Sequence, residues 1–141
     1  MLALTKRTEY ALIALCHLTR SGEDVVSARD IADRHLVKLP LLMNVLKLLN
    51  QKGLLRSVRG AAGGYRLGET PERITLARLI EAVEGPVRLV RCIAHAEDGD
   101  GERGCELIGT CPVRSPVVKI HQHLERFLES LTVADVAFDE R

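Results

Sequence analysis

The sequence predicts a mainly α fold: three helices closed by a β-hairpin, then further helices ending in a long C-terminal one. Three observations predict it. Of 141 residues, 46% are apolar but only 3% aromatic, with no tryptophan, so the core is aliphatic and built from residues that favour packed helices. Apolar residues recur at helical spacing in several separate windows. Between two such windows, a glycine-rich loop separates two short strand candidates. With 28% charged residues, 11 glycines and 5 prolines, the composition is globular rather than disordered. The length suits one ordinary domain, or a small module with an appendage, and excludes a large multidomain enzyme.

Taken in order, Leu4, Ala11, Leu12, Leu15 and Leu18 mark a first helix over about 6–20, closed by Ser21 and Gly22. Ser27 with Asp30 three residues on reads as a capping-box variant with a shortened acid, opening a short helix that ends near His35. Pro40 stands where a helix start tolerates a missing N–H. Leu42, Val45, Leu46 and Leu49 then form one apolar face of a helix to about 51–52, stopped by Gly53. Strands at 54–58 and 65–67 flank the loop 59–64. Thr75 caps a helix over 76–84 that stops at Gly85-Pro86. The stretch 91–112 has little periodicity, and its acidic part, 97–102, reads as a solvated loop. Val117, Ile120, Leu124, Phe127 and Leu131 recur at alternating steps of three and four, the seam of a coiled-coil-like helix whose expected partner is a second copy. Thr132 caps a last turn, and the tail after Ala137 is expected to fray.

Three helices and a hairpin, with the second and third helices joined by a short turn, are a winged helix-turn-helix plan. The organisation expected is a winged helix-turn-helix DNA-binding domain at 1–85, a cysteine-bearing loop at 86–112, and a dimerisation helix with a C-terminal tail at 113–141. The charge agrees. The net charge of the chain is +1, yet residues 1–67 carry 11 Lys and Arg against 5 Asp and Glu, leaving the excess acid in the second half. Such asymmetry points the first half at a polyanion, double-stranded DNA first. Near the start of the reading helix, Asn44 can address adenine, and Lys38 and Lys47 can meet phosphate or guanine. Arg59, with Gly60 beside it at the hairpin tip, can enter the narrow, electronegative minor groove.

Lys6 and Arg7 ahead of the apolar run 11–18 imitate a secretory signal, but Cys16, His17 and Arg20 interrupt the pattern and no small-residue cleavage site follows. With no stretch of membrane-spanning length, the expectation is a cytoplasmic protein with no membrane partner. There, disulfides are rare and clustered cysteines read as metal ligands. Cys92, Cys105 and Cys111 lie in the aperiodic loop, and thiolates are soft ligands that select zinc or iron–sulfur clusters. The tight cysteine pair usual for zinc is absent, which tilts the trio toward a cluster. Cys16, among Leu12, Leu15 and Leu18, reads as a buried small hydrophobe. His121 and His123 read as solvated residues of the last long helix. No nucleophile–base pair, phosphate loop or dinucleotide fingerprint occurs, so an enzyme is not expected. The competing class is a winged-helix DNA-binding or protein-docking scaffold with a structural zinc site.

The opening 4–12 (LTKRTEYAL), the hairpin 57–67 (SVRGAAGGYRL) and the cysteine trio together resemble the bacterial iron–sulfur cluster regulators of the IscR/NsrR group, over about 2–136 of the chain. The resemblance implies a homodimeric winged-helix transcription regulator, a repressor as first expectation. Its promoter binding would depend on a 2Fe-2S or 4Fe-4S cluster that senses redox state, nitric oxide, iron or cluster supply. It makes Cys92, Cys105 and Cys111 the cluster cysteines and Arg59 the minor-groove arginine. Glu9 matches the position of a carboxylate ligand given by the other subunit's first helix, with His95 the next candidate for the fourth ligand. Arg114 stands where some members place a histidine ligand, and arginine cannot ligate because it stays protonated. Ile13 replaces a histidine of the redox-sensing branch. Met43, Leu41 and Ala61-Ala62 depart from the usual reading-helix and wing residues, so no operator sequence carries over.

Overall fold

The structure is a computed structural model that describes residues 3–90, 93, 105–107 and 109–139. Helix α1 (Lys6–Ser21) begins where Thr5, in extended backbone, accepts the Thr8 N–H on its hydroxyl. It ends at Gly22, whose φ of 66° is the left-handed conformation glycine adopts without a Cβ penalty. Leu4, expected on its apolar face, lies ahead of the cap and is 54% exposed, because helical periodicity does not extend past the residue that starts the helix. The buried face is Thr8, Tyr10, Ala11, Ala14, Leu15 and Leu18.

Helix α2 (Ala28–His35) is capped by the Ser27 hydroxyl, which accepts the Asp30 N–H at 3.1 Å. Its C-cap, Leu36, takes a positive φ of 53° although it carries a Cβ, and its side chain is 91% exposed. Helix α3 (Leu39–Gln51) has proline in its first turn and buries the expected Leu42, Val45, Leu46 and Leu49. Strands β1 (Leu55–Val58) and β2 (Gly64–Leu67) pair antiparallel, with Leu55 opposite Leu67 and Val58 opposite Gly64. A bridge between Val26 and Tyr65 ties β2 to the segment ahead of α2 through N–H···O bonds of 2.8 and 2.9 Å.

A 3-10 turn, Pro71–Arg73, leads into α4 (Leu76–Glu84), capped by the Thr75 hydroxyl. Arg78 of α4 grips Glu69 with two N–H···O bonds of 2.7 and 2.9 Å and also donates to the Arg73 carbonyl, fixing this connection. Helix α5 (Arg114–Ser130) packs on α4, and α6 (Val133–Ala137) returns to α1. Thr132 and Asp135 form a full capping box at α6, and the Val133 N–H donates to the Ile74 carbonyl at 2.8 Å. Val133 joins one aliphatic core with Leu15, Leu42, Leu46, Leu55 and Ile74. The chain after α5 is therefore part of the N-terminal head.

Two expectations about α5 change. His121 is not solvated: it is 2% exposed, with Glu125 Oε1 3.0 Å from Nε2 but outside hydrogen-bond geometry. Leu131 is the C-cap in extended backbone, and its carbonyl accepts the Leu76 N–H at 2.9 Å rather than continuing the helix. The second follows from the bridge between Thr75 and Thr132 that ends the helix, the first from rotation. The inward side of α5 runs through Val117, His121, Leu124 and Leu128, about one residue round from the seam, while Ile120 and Phe127 stay 58% and 57% exposed. His123 is exposed, as expected.

Candidate nucleic-acid interface and thiol site

The reading helix α3 is held from both ends. Lys38, its N-cap, has no side-chain cap; instead its N–H donates at 3.1 Å to the hydroxyl of Tyr10, a buried residue of α1. At the other end Asn50 Oδ1 accepts the Ser57 N–H at 3.0 Å, tying α3 to the wing. With Leu42, Val45, Leu46 and Leu49 anchored inward, Asn44 and Lys47 face outward, and Lys38, Asn44 and Lys47 are all exposed. A helix that turns Asn44 and Lys47 outward, with the exposed Met43 beside them and each end tied to a neighbouring element, is the form a major groove admits.

The wing is shaped by glycines that side chains could not replace. A Cβ on Gly64 would lie 2.3 Å from the Val26 carbonyl oxygen, one on Gly63 2.5 Å from that of Val58, and one on Gly68 2.1 Å from that of Gly53. Gly60 has a φ of 119°, a conformation that L side chains rarely adopt. Close backbone packing thus holds a loop whose tip presents Arg59 and Gly60 to solvent. Among the described residues no carboxylate pairs with Lys38, Lys47 or Arg59. Unneutralised cations on one module are the electrostatic footprint of phosphate binding.

Sequence reasoning missed Tyr10, Asn50 and Val26 as positioning residues. Tyr10 carried a signal: an aromatic hydroxyl on the buried side of a helix needs a partner. Asn50 and Val26 carried none, because their partners are backbone groups brought near only by folding.

Of the thiols, Cys105 and Cys111 are half-buried and not cross-linked, whereas Cys92 and His95 lie outside the described residues. Cys111 follows a tight turn in which the Leu107 carbonyl accepts the N–H groups of Thr110 at 3.0 Å and Cys111 at 2.8 Å. Glu9, on α1, is paired instead with Lys6 at 2.6 Å, which raises the lysine pKa through that hydrogen bond. Among the described residues of one chain no three His, Cys, Asp or Glu side chains are grouped to hold a metal. Cys16 is half-buried rather than fully buried: it packs at the edge of the core, and desolvation pushes its thiol pKa up. His17 beside it is held below the usual imidazole pKa, first by desolvation and then by His35 and Arg34.

A helical head with an outward reading helix and a glycine-built, arginine-tipped wing defines a winged-helix DNA-binding transcription regulator. The comparisons agree. Residues 4–139 match the Rrf2 family, described as iron-dependent transcriptional regulators, and the chain belongs to that family. It is 30% identical to the transcriptional regulator NsrR of Bacillus licheniformis over 97% of this chain and 93% of that protein. It is 28% identical to IscR of Aliivibrio salmonicida over 96% of this chain and 77% of that protein. Among solved structures it resembles CymR, the global cysteine regulator of B. subtilis, with a TM-score of 0.77, 28% identity and full coverage of both chains. IscR of T. potens gives a TM-score of 0.73 at 28% identity, covering 98% of this chain and 88% of that one. These relatives are transcription regulators, a non-enzymatic class. No helix among the described residues is long and apolar enough to cross a membrane.

Proposed function

We propose that this regulator binds promoter DNA as a homodimer under the control of an iron–sulfur cluster held by Cys92, Cys105 and Cys111, with Glu9 of a second copy as the fourth ligand. The observation that carries the reading is the pair of free, half-buried thiols set on either side of a turn just before α5, whose residues Ile120 and Phe127 are open to a partner. The donor set fits the group. Soft thiolates suit iron, the two described thiols are not spent on a disulfide, and Glu9 keeps a side chain 41% exposed on the outer side of α1. Bound there, the cluster supplies iron–thiolate bonds that redox change or nitric oxide can break.

The chain's own residues supply the coupling. Glu9 adjoins Tyr10, and the Tyr10 hydroxyl holds the first residue of the α3 turn, so a pull on Glu9 acts on the helix that reads bases. In this reading Ile120 and Phe127, the exposed edge of the expected seam, bring two copies together, while Val117, Leu124 and Leu131 are turned to the chain's own core. Lys38, Asn44 and Lys47 address the major groove, and Arg59 with Gly60 the minor groove. The units are the head at 1–85 with α6 folded back onto it, the cysteine loop at 86–112 and the dimer-forming helix α5, working as a cytoplasmic repressor. Coupling between cluster and DNA of the usual size, about 1–3 kcal/mol, changes operator affinity by roughly 5- to 150-fold.

The test is anaerobic purification with iron and sulfide analysis, repeated for Cys105→Ala and Glu9→Ala. Brown protein that loses its visible bands and its cluster-dependent operator binding on Cys105→Ala supports the reading. Colourless protein with one zinc per chain replaces it with the structural scaffold. A Glu9→Ala protein with an unchanged spectrum and unchanged DNA binding removes the carboxylate.

A further inference from the structure

We propose that His17 and His35 form a binding site for a divalent cation of the zinc class, clipping α1 to the first helix of the helix-turn-helix. The site stands apart from the cysteine loop. His17 lies near the end of α1 and His35 is the last residue of α2, and their rings meet edge to face with centroids 5.0 Å apart and planes at 87°. His17 Nδ1 and His35 Nε2 are 3.0 Å from each other. Two imidazole nitrogens on tetrahedral zinc, each bonded at about 2.0–2.1 Å, sit about 3.3 Å apart. The two nitrogens are thus within a few tenths of an ångström of the chelating separation, and turning both rings so that their lone pairs converge to one side of the N···N line makes the contact a chelate, the proton between the rings leaving as the metal enters.

The surroundings suit a cation with open coordination positions. Both rings line a cavity of about 460 Å³, shared with Cys16 and Arg20, that leaves room for water or an added ligand. An adjoining cavity of similar size, also touching His17, is lined by the carboxylates of Glu23, Asp30 and Asp33 together with Arg34. Glu23 and Asp30 favour a cation beside His17, and Arg34, which lines both cavities, opposes them. The carbonyl end of α2 adds partial negative charge beside His35. Among the described residues no third protein ligand completes the set, so exchange should be easy and affinity moderate. The mechanical effect is specific: α2 is joined to α1 about two turns further along than the Tyr10 bond to α3, so a bound cation fixes both helices of the DNA-reading pair to one scaffold helix.

The experiment uses the full chain stripped of metal, with Cys92→Ser, Cys105→Ser and Cys111→Ser in place to silence the cysteine loop. Zn²⁺ is titrated against a chromophoric chelator, and imidazole nitrogen shifts are followed by NMR. One zinc per chain is expected, with movement of both the His17 and His35 ring signals. His17→Gln and His35→Gln should each weaken uptake about tenfold or more. Both rings reach solvent, and the NMR arm on the unsubstituted pair reads the site without depending on either variant folding. No uptake, uptake unchanged in both variants, or uptake abolished by Cys16→Ser with both ring signals unmoved would overturn the proposal. Because the cluster cysteines are absent throughout, failure here leaves the iron–sulfur reading untouched, and failure of that reading leaves this one standing.

Discussion

The head and the α5 side of the molecule are built on opposite terms. In the head specific bonds fasten element to element: Tyr10 to α3, Asn50 to the wing, Val26 to β2, Arg78 to Glu69, and the backbone of Val133 to Ile74. Around α5 the chain leaves Leu107, Val113, Ile120 and Phe127 more than half exposed and two thiols uncommitted. A rigid reader beside an unfinished surface is the division of labour expected of a regulator, where one part must hold its shape and the other must change partners.

The sharpest break in that comparison is Gly64→Ala. A methyl group 2.3 Å from the Val26 carbonyl oxygen has no side chain to push aside, so the wing must detach from the segment ahead of α2. We expect a loss of roughly 2–3 kcal/mol in chemical denaturation, with no change in sedimenting mass. Ile120→Glu with Phe127→Glu should do the reverse, giving a monomer by sedimentation whose head melts within about 0.5 kcal/mol of wild type. An unchanged dimer would show that α5 is not the meeting surface. Arg59→Ala should weaken operator binding by about 1–3 kcal/mol in a mobility-shift titration, with thermal stability unaltered. Tyr10→Phe leaves the Lys38 N–H without its acceptor and should cost about 1–2 kcal/mol, read as faster amide exchange at the start of α3.

The smallest effect is a pH dependence within the head, at the start of α6. The Thr132 hydroxyl and N–H hold the Asp135 carboxyl below its ordinary pKa. A carboxyl depressed on folding contributes stability above its unfolded pKa, and that contribution is lost as pH falls through the folded value. Acid strong enough to protonate this depressed carboxyl should therefore weaken the α6 cap. Asp135→Asn should remove that acid dependence from a titration followed by the α6 amide signals, while leaving the acid response of the rest of the head in place.

Much of the fold was readable because its causes are local. The caps at Ser27, Thr75 and Thr132, the stop at Gly22 and the α3 face of Leu42, Val45, Leu46 and Leu49 each depend on a few neighbouring residues. The wing was readable as a hairpin, though not the reason its glycines are required. The site was readable only as residue types: outward cations, an arginine at a tip, thiols in a loop. That His121 turns inward and Ile120 outward was hidden, because a step of three and four residues marks an apolar stripe without saying which neighbour claims which edge of it.

The sequence by itself determined where helices start and stop, which α3 residues seek the core, and that the basic charge lies in the first half, since capping, periodicity and charge act within a few residues. Only the tertiary structure decided that Tyr10 anchors the reading helix, that Gly64 must lack a side chain, that α6 belongs to the head, and that His17 meets His35. Each of these joins groups far apart along the chain, and a contact of that kind exists only once the aliphatic core has drawn the helices together.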